Sequence, residues 1–233
     1  MPRQNRLLAS LSKSDFEILR PWFSTMTLKQ GVLLQEAGDA IENVYFPHSG
    51  MLSLLAVMKD GAAVELATVG REGVAGAMSG VGLKQSISRT VVQLPGEGSR
   101  ISAKHFRNGV AKSDSLRDLV IRHNEGLMAQ VQYTAACNSL HTVEARLARW
   151  ILQTRDRAES DDIPLTQEFL SQMLGVRRTT VTLVAQTLQE AGLIHYRRGR
   201  IKIVDRKGLE EAACECYRSI REKTAQILPK RSN

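Results

Sequence analysis

The spacing of apolar residues changes twice along the chain, and each change marks a different kind of structure. Near the start, residues 14–23 predict a short amphipathic helix, with Ser14 as its cap and Phe16 and Leu19 on one side. From Leu28 to about Ala103, short runs of Val, Ile, Leu, Tyr and Phe are broken by Gly, Pro, Asn and Asp. The runs Leu28–Leu34, Asn43–Phe46, Met51–Met58, Val64–Val69, Arg89–Leu94 and Ser99–Ser102 read as strands. Asp60-Gly61 lies between two of them and signals a hairpin. Many short strands with glycine turns predict an antiparallel sandwich or barrel.

Over residues 113–139 the glycine punctuation nearly stops. Leu116, Val120, His123, Leu127, Val131 and Thr134 recur at three- and four-residue steps, one stripe along a long helix that Ser113 or Ser115 would cap. Such a stripe needs cover. Its simplest partner is the same stripe of a second copy, which makes these six residues a candidate dimer interface. The alternative is that it packs on its own barrel. A further helix is expected near Val143–Arg157, with Val143, Leu147, Trp150 and Ile151 on its apolar face, followed by a polar loop from Ala158 to Pro164. The break between these two helices, at Asn138–Thr142, divides the chain into a β-domain over residues 1–112, a helix over 113–139 and a C-terminal domain over 140–233.

Residues 165–191 predict two helices joined by a sharp turn. Thr166 is an N-cap, Phe169, Leu170, Met173 and Leu174 form a buried side, and Gly175 permits the turn. The second helix starts at about Arg177. Its inner stripe is Val181, Val184, Ala185 and Leu188, and its outer face offers Arg178, Thr179, Thr182 and Gln186. A helix presented this way suits the DNA major groove, where an arginine fork donates two hydrogen bonds to guanine. By itself the pattern also describes an ordinary helical hairpin. Leu193–Val204 follows as a β-hairpin with Gly199 at its turn and Arg197, Arg198 and Arg200 around it. A basic hairpin directly behind such a helix is a wing that grips phosphate. The predicted DNA-contact set is therefore Thr166, Arg177, Arg178, Thr179, Thr182, Arg197, Arg198 and Arg200.

Charge agrees with a polyanionic partner without naming it. The 233 residues carry a net charge of +8. Residues 1–140 hold 15 Lys and Arg against 12 Asp and Glu, and residues 141–233 hold 17 against 12, so the shorter segment is the more basic. The three cysteines, Cys137, Cys214 and Cys216, are an odd number without a secretory signal, which argues against a disulfide framework. No run approaches the roughly 20 apolar residues that a membrane span needs, and the expected protein is soluble and cytoplasmic, with no membrane partner. No nucleophile–base motif, phosphate loop or metal-ligand spacing appears, so an enzyme carrying an accessory winged helix is disfavoured.

Taken together, Leu165–Val204, Val44-Tyr-Phe-Pro-His-Ser-Gly50 and Glu65-Leu-Ala-Thr-Val-Gly-Arg-Glu-Gly73 resemble the Crp/Fnr family of bacterial transcription regulators over about residues 10–228. The resemblance implies an α+β chain: a cyclic-nucleotide-binding-like antiparallel β-roll, a long dimerisation helix and a C-terminal winged helix-turn-helix. It also implies a homodimer on a roughly palindromic double-stranded DNA site, and contact with RNA polymerase. The family's recognition helix usually opens with Ser or Arg, then Arg, then Glu, with a second Arg four residues after the Glu. Here Arg177, Arg178, Thr179 and Leu183 stand at those positions. Arg178 keeps the guanine-reading place. Thr179 and Leu183 do not keep theirs, so a half-site unlike the family's TGTGA or TTGAT type is expected.

The family's cyclic-nucleotide cassette pairs a Gly-Glu with an Arg-Ser/Thr about ten residues later. Arg89-Thr90 would fill the second place, while Gly76 is followed by Ala77 rather than glutamate. Gly76, Arg89 and Thr90 are thus the candidate effector pocket, with the acid missing. No other cofactor is evident. An iron–sulfur cluster wants about four thiolates and no cysteine precedes Cys137; His48 and His105 have no haem-specific context. Cys214 and Cys216, two apart on an expected helix over Lys207–Ile227, point in different directions and make no metal site by themselves.

Overall fold

A computed structural model of the chain describes residues 2–82 and 84–227. Two short helices, α1 (Arg6–Ala9) and α2 (Lys13–Leu19), lead into seven antiparallel strands: β1 (Ser24–Leu28), β2 (Leu33–Gln35), β3 (Asn43–Pro47), β4 (Met51–Val57), β5 (Ala63–Val69), β6 (Arg89–Leu94) and β7 (Gly96–Ser102). They form two sheets, in the orders β1-β7-β3 and β2-β6-β4-β5. The expected β-roll is present. The run Leu28–Leu34 is the exception: it splits between the two sheets, because the chain turns at Gly31, whose φ of 80° lies in the left-handed region. The cap of α2 is Ser12, which accepts the Asp15 amide, not Ser14.

After α3 (Ala103–Val110) comes the long helix α4 (Asp114–Leu140), capped by Ser113 through the Leu116 amide. It is about 40 Å long. Its predicted stripe faces its own roll. Leu116, Val120, His123 and Thr134 are buried within the chain, and Leu127 packs on the core of the roll. His123 Nε2 lies 2.7 Å from the Val74 carbonyl, and Gln130 accepts the Thr68 amide at 2.7 Å. The expectation that this stripe meets a second copy is therefore corrected for Leu116, Val120, His123, Leu127 and Thr134, while Val131 stays half-exposed. Polar hooks to β5 and to the loop after it turn the stripe inward.

Beyond the break at His141–Thr142, α5 (Val143–Ala158) crosses the centre of the molecule. Around it stand β8 (Asp162–Pro164), α6 (Gln167–Leu174), α7 (Arg178–Glu190), the hairpin β9 (Ile194–Arg197) and β10 (Arg200–Ile203), α8 (Arg206–Ala212) and α9 (Cys216–Ile227). One apolar core joins Met51, Leu55 and Leu94 of the roll to Leu147, Trp150 and Ile151 of α5 and to Leu170, Val181 and Leu188 behind them. Every residue from Arg146 to Thr154 is buried, so α5 has no solvent face over that stretch, where a one-sided helix was expected. Ala158–Pro164 is not all loop: Ile163 is buried opposite Ile201, and Asp162–Pro164 adds an edge strand to the hairpin.

The seam between roll and C-terminal domain turns on Glu65. It accepts the Ser53 hydroxyl at 2.5 Å and the Trp150 indole N–H at 2.7 Å. Burial pushes its carboxyl up to about 7, against the pull of those two donors and of Arg149 and Arg157. The folded chain thus holds this proton more tightly than the unfolded one, and its contribution to stability falls as pH rises from about 4.5 to about 7. In Glu65→Gln, whose amide accepts from Trp150 without ionising, that loss is absent. The variant's stability relative to the native chain should rise through this window by up to about 3 kcal/mol, measured by urea unfolding. A pH-independent difference would contradict the assignment.

Candidate nucleic-acid interface

The two-helix unit is built from local signals. Thr166 caps α6 by accepting the Phe169 amide, and Gly175 ends it at φ 63°. Arg146, reaching from α5, donates to the Leu174 carbonyl and so secures the end of α6 from inside. Arg177 stands at the N-cap of α7, whose Val181, Ala185 and Leu188 are buried. On its outer face Arg178, Thr179, Thr182 and Gln186 are exposed, as is Leu183, with 67% of its surface open to solvent. A leucine this open on a short helix has no packing role in the free chain.

The hairpin β9–β10 turns on Arg198 (φ 51°) and Gly199 (φ 71°), two consecutive left-handed residues that match the strand twist. An open cleft of about 450 Å³ separates this wing from the start of α7. Thr166, Arg178, Tyr196, Arg197, Arg198 and Gly199 line it. The structure thus brings four of the eight sequence-predicted residues, Thr166, Arg178, Arg197 and Arg198, to one cleft. Arg177, Thr179 and Thr182 lie beside it on α7, with the Thr182 hydroxyl bonded back to the Arg178 carbonyl. Arg200 points to the far side of the hairpin, where it pairs with Asp162 at 3.0 Å.

The cleft is electropositive. Arg178 is held by Glu168 at 2.8 Å, an exposed pair worth at most about 1 kcal/mol and easily exchanged for a phosphate or a base. The Tyr196 hydroxyl, which the sequence reading passed over, is buried at the cleft without a hydrogen-bond partner. Burial raises its pKa, partly offset by Arg178. The alternation of buried Ile194 with partly buried Tyr196 along β9 was the available signal.

The candidate effector residues separate. A cavity of about 360 Å³ lies between the roll and α4, and Gly76 and Thr90 line it with Tyr45, Leu54, Val74 and Leu127. Arg89 does not. Its guanidinium is turned outward onto Glu36, with Nε 3.0 Å from both carboxylate oxygens. No described residue lining the cavity is charged. A cyclic nucleotide placed there would bury its phosphate without a cation and its ribose without the missing acid, so the residues do not fit it. His48 and His105 are spoken for by Ser99 and Ser102, and His105 also stacks on Trp22.

Residues 145–212 match the family model of the Crp-like helix-turn-helix domain. This segment is similar to Crp-like helix-turn-helix domains. The whole chain has the fold of the Crp/Fnr regulators. A Crp/Fnr-family regulator from Eubacterium rectale superposes with a TM-score of 0.70 at 16% identity, covering 90% of this chain and 98% of that one. FixK2 from Bradyrhizobium japonicum gives 0.71 at 14%, covering 82% and 98%. The c-di-GMP-responsive regulator CLP from Xanthomonas campestris gives 0.68 at 16%, covering 83% and 100%. No curated protein matches the sequence. No helix among the described residues is long and apolar enough to cross a membrane.

Within the Crp-like segment, Gly175 is a tightly constrained position. A Cβ there would sit 3.2 Å from Val64 Cγ2 of β5, at a φ that disfavours branched side chains. Gly175→Val should lower stability by about 1–3 kcal/mol, read from the urea midpoint. An unchanged midpoint would show that the turn tolerates another geometry.

Proposed function

We propose that this chain is a transcription regulator that binds DNA as a homodimer on a roughly palindromic site, with α7 of each copy in the major groove of one half-site. The observation that carries this reading is the cleft between α7 and the wing. It gathers Arg178, Arg197 and Arg198 around the unpartnered Tyr196 hydroxyl, beside the positive end of α7. A DNA phosphate in the cleft would be held by Arg197 and Arg198 together. Arg178 and the exposed Leu183 then face base edges, the arginine suited to guanine and the leucine to a thymine methyl. Thr179 supplies no carboxylate for a cytosine amine.

The dimer rests on the outer face of α4. Ile121, Met128 and Ala135 are exposed at seven-residue steps, with Asn124, Val131 and Asn138 between them. This second seam runs alongside the stripe that covers the roll and shares Val131 with it. It would pair two copies in parallel and carry their reading heads to neighbouring turns of one duplex. As a regulator the chain would act through RNA polymerase, and the uncharged cavity between roll and α4 favours a neutral effector over a nucleotide.

Two outcomes follow. Arg178→Ala should lower affinity for a selected site about 10–100-fold with the circular dichroism unchanged, because a lost bidentate contact is worth about 1–3 kcal/mol. Arg198→Ala should weaken binding to all sequences alike and reduce the salt slope by about one. Unaltered binding by both variants would remove α7 and the wing from the interface. Separately, Ile121→Asp should sediment as a monomer; a persistent dimer would place the two-fold axis elsewhere.

A further inference from the structure

Three cysteines and a histidine that lie far apart in the sequence meet where α4 ends. Cys137 is on the last turns of α4, His141 follows that helix, and Cys214 and Cys216 flank the start of α9. Their ligand atoms all lie within 4.8 Å of one another. Cys137 Sγ is 3.4 Å from Cys214 Sγ, and Cys216 Sγ is 3.7 Å from His141 Nδ1. The expected single helix over Lys207–Ile227 is broken at Ala213–Glu215, which is why Cys214 and Cys216 face the same point rather than diverging. Tetrahedral zinc with metal–sulfur bonds of about 2.3 Å has ligand edges of about 3.8 Å, so these atoms need only small rotamer shifts to close on an ion.

The surroundings fit a metal better than a pair of idle thiols. His141 Nε2 is 3.2 Å from a Glu215 carboxylate oxygen, which leaves Nδ1 directed at the thiols. That is the outer carboxylate that orients a metal-bound imidazole. Arg146 and Arg149 are buried beside the cluster, and the Nε of each has no hydrogen-bond partner. Neither forms a salt bridge among the described residues, while Arg149 acts electrostatically on all three thiols and Arg146 on Cys137 and Cys214. Three thiolates and one divalent cation carry a net single negative charge, which these guanidinium groups would balance.

We infer that Cys137, His141, Cys214 and Cys216 bind one zinc ion in a closed Cys3His site that ties α9 to the end of α4. The tie spans the break at His141–Thr142, where the long helix hands over to the reading head. Occupancy of the site therefore fixes the angle between them. Its effect on DNA rests on the regulator reading above; the metal site itself does not.

The test uses the whole 233-residue chain, purified without chelator and under reducing conditions. Metal analysis should find one zinc per chain, and exchange with cobalt(II) should give tetrahedral d–d bands with strong thiolate charge transfer. Cys214→Ser should weaken zinc binding by at least 100-fold, and Glu215→Gln by about 10–100-fold. Hydrogen exchange in α9 should slow when zinc is added to the stripped protein. A chain that keeps three free thiols and takes up no zinc or cobalt when either is added would overturn the site. Cobalt bound in an octahedral, thiolate-free environment would overturn it as well. Should a cysteine variant fail to fold, the wild-type cobalt spectrum still decides.

Discussion

The molecule is organised around a helix with no outside. From Arg146 to Thr154, α5 is covered by the roll, by α6 and α7, and by the C-terminal helices. A buried polar group costs free energy unless it is hydrogen-bonded, so several polar side chains of this helix act as fixed links to its neighbours. Trp150 reaches Glu65 of β5, Arg146 the end of α6, and Arg157 the carboxylate of Glu72 at 3.0 Å. These links set where the C-terminal domain stands relative to the roll. The same constraint brings Arg149 to the cysteine cluster, where its charge finds no carboxylate in salt-bridge range but does find three thiols.

The long helix α4 carries two apolar seams instead of one. Its inner seam seals the roll and the uncharged cavity, while the outer seam remains open to solvent, with Met128 at 59% exposure. Met128 also touches the cavity, so a ligand inside and a second copy outside would meet on one side chain. In the proposed dimer, that would give a short physical route from the cavity to the spacing of the two C-terminal domains. At its far end the helix stops beside Cys137 and His141, the place where the head is attached.

Most of the architecture was legible in the sequence because it rests on local rules. Asp60-Gly61 made its hairpin, Ser113 and Thr166 made their caps, and Gly175 and Gly199 took the positive φ angles their turns need. What was not legible depended on long-range contact. The direction of the Leu116–Thr134 stripe is set by Val74 and Thr68, which periodicity cannot see. Arg89 left the candidate pocket for Glu36, 53 residues away. The cysteine cluster joins residues 77 apart and needs a helix break at Ala213–Glu215 that the run Glu210-Glu-Ala-Ala-Cys does not announce.

The central claim, that α7 reads DNA as one half of a symmetric pair, is tested most directly by selection from a random duplex pool followed by hydroxyl-radical footprinting. The account predicts an enriched two-fold symmetric sequence with two protected half-sites about 34–36 Å apart, each carrying a guanine for Arg178. It also predicts a half-site core different from TGTGA, since Thr179 and Leu183 replace the residues that read that sequence. Enrichment of an asymmetric site, of TGTGA itself, or of no sequence at all would contradict it.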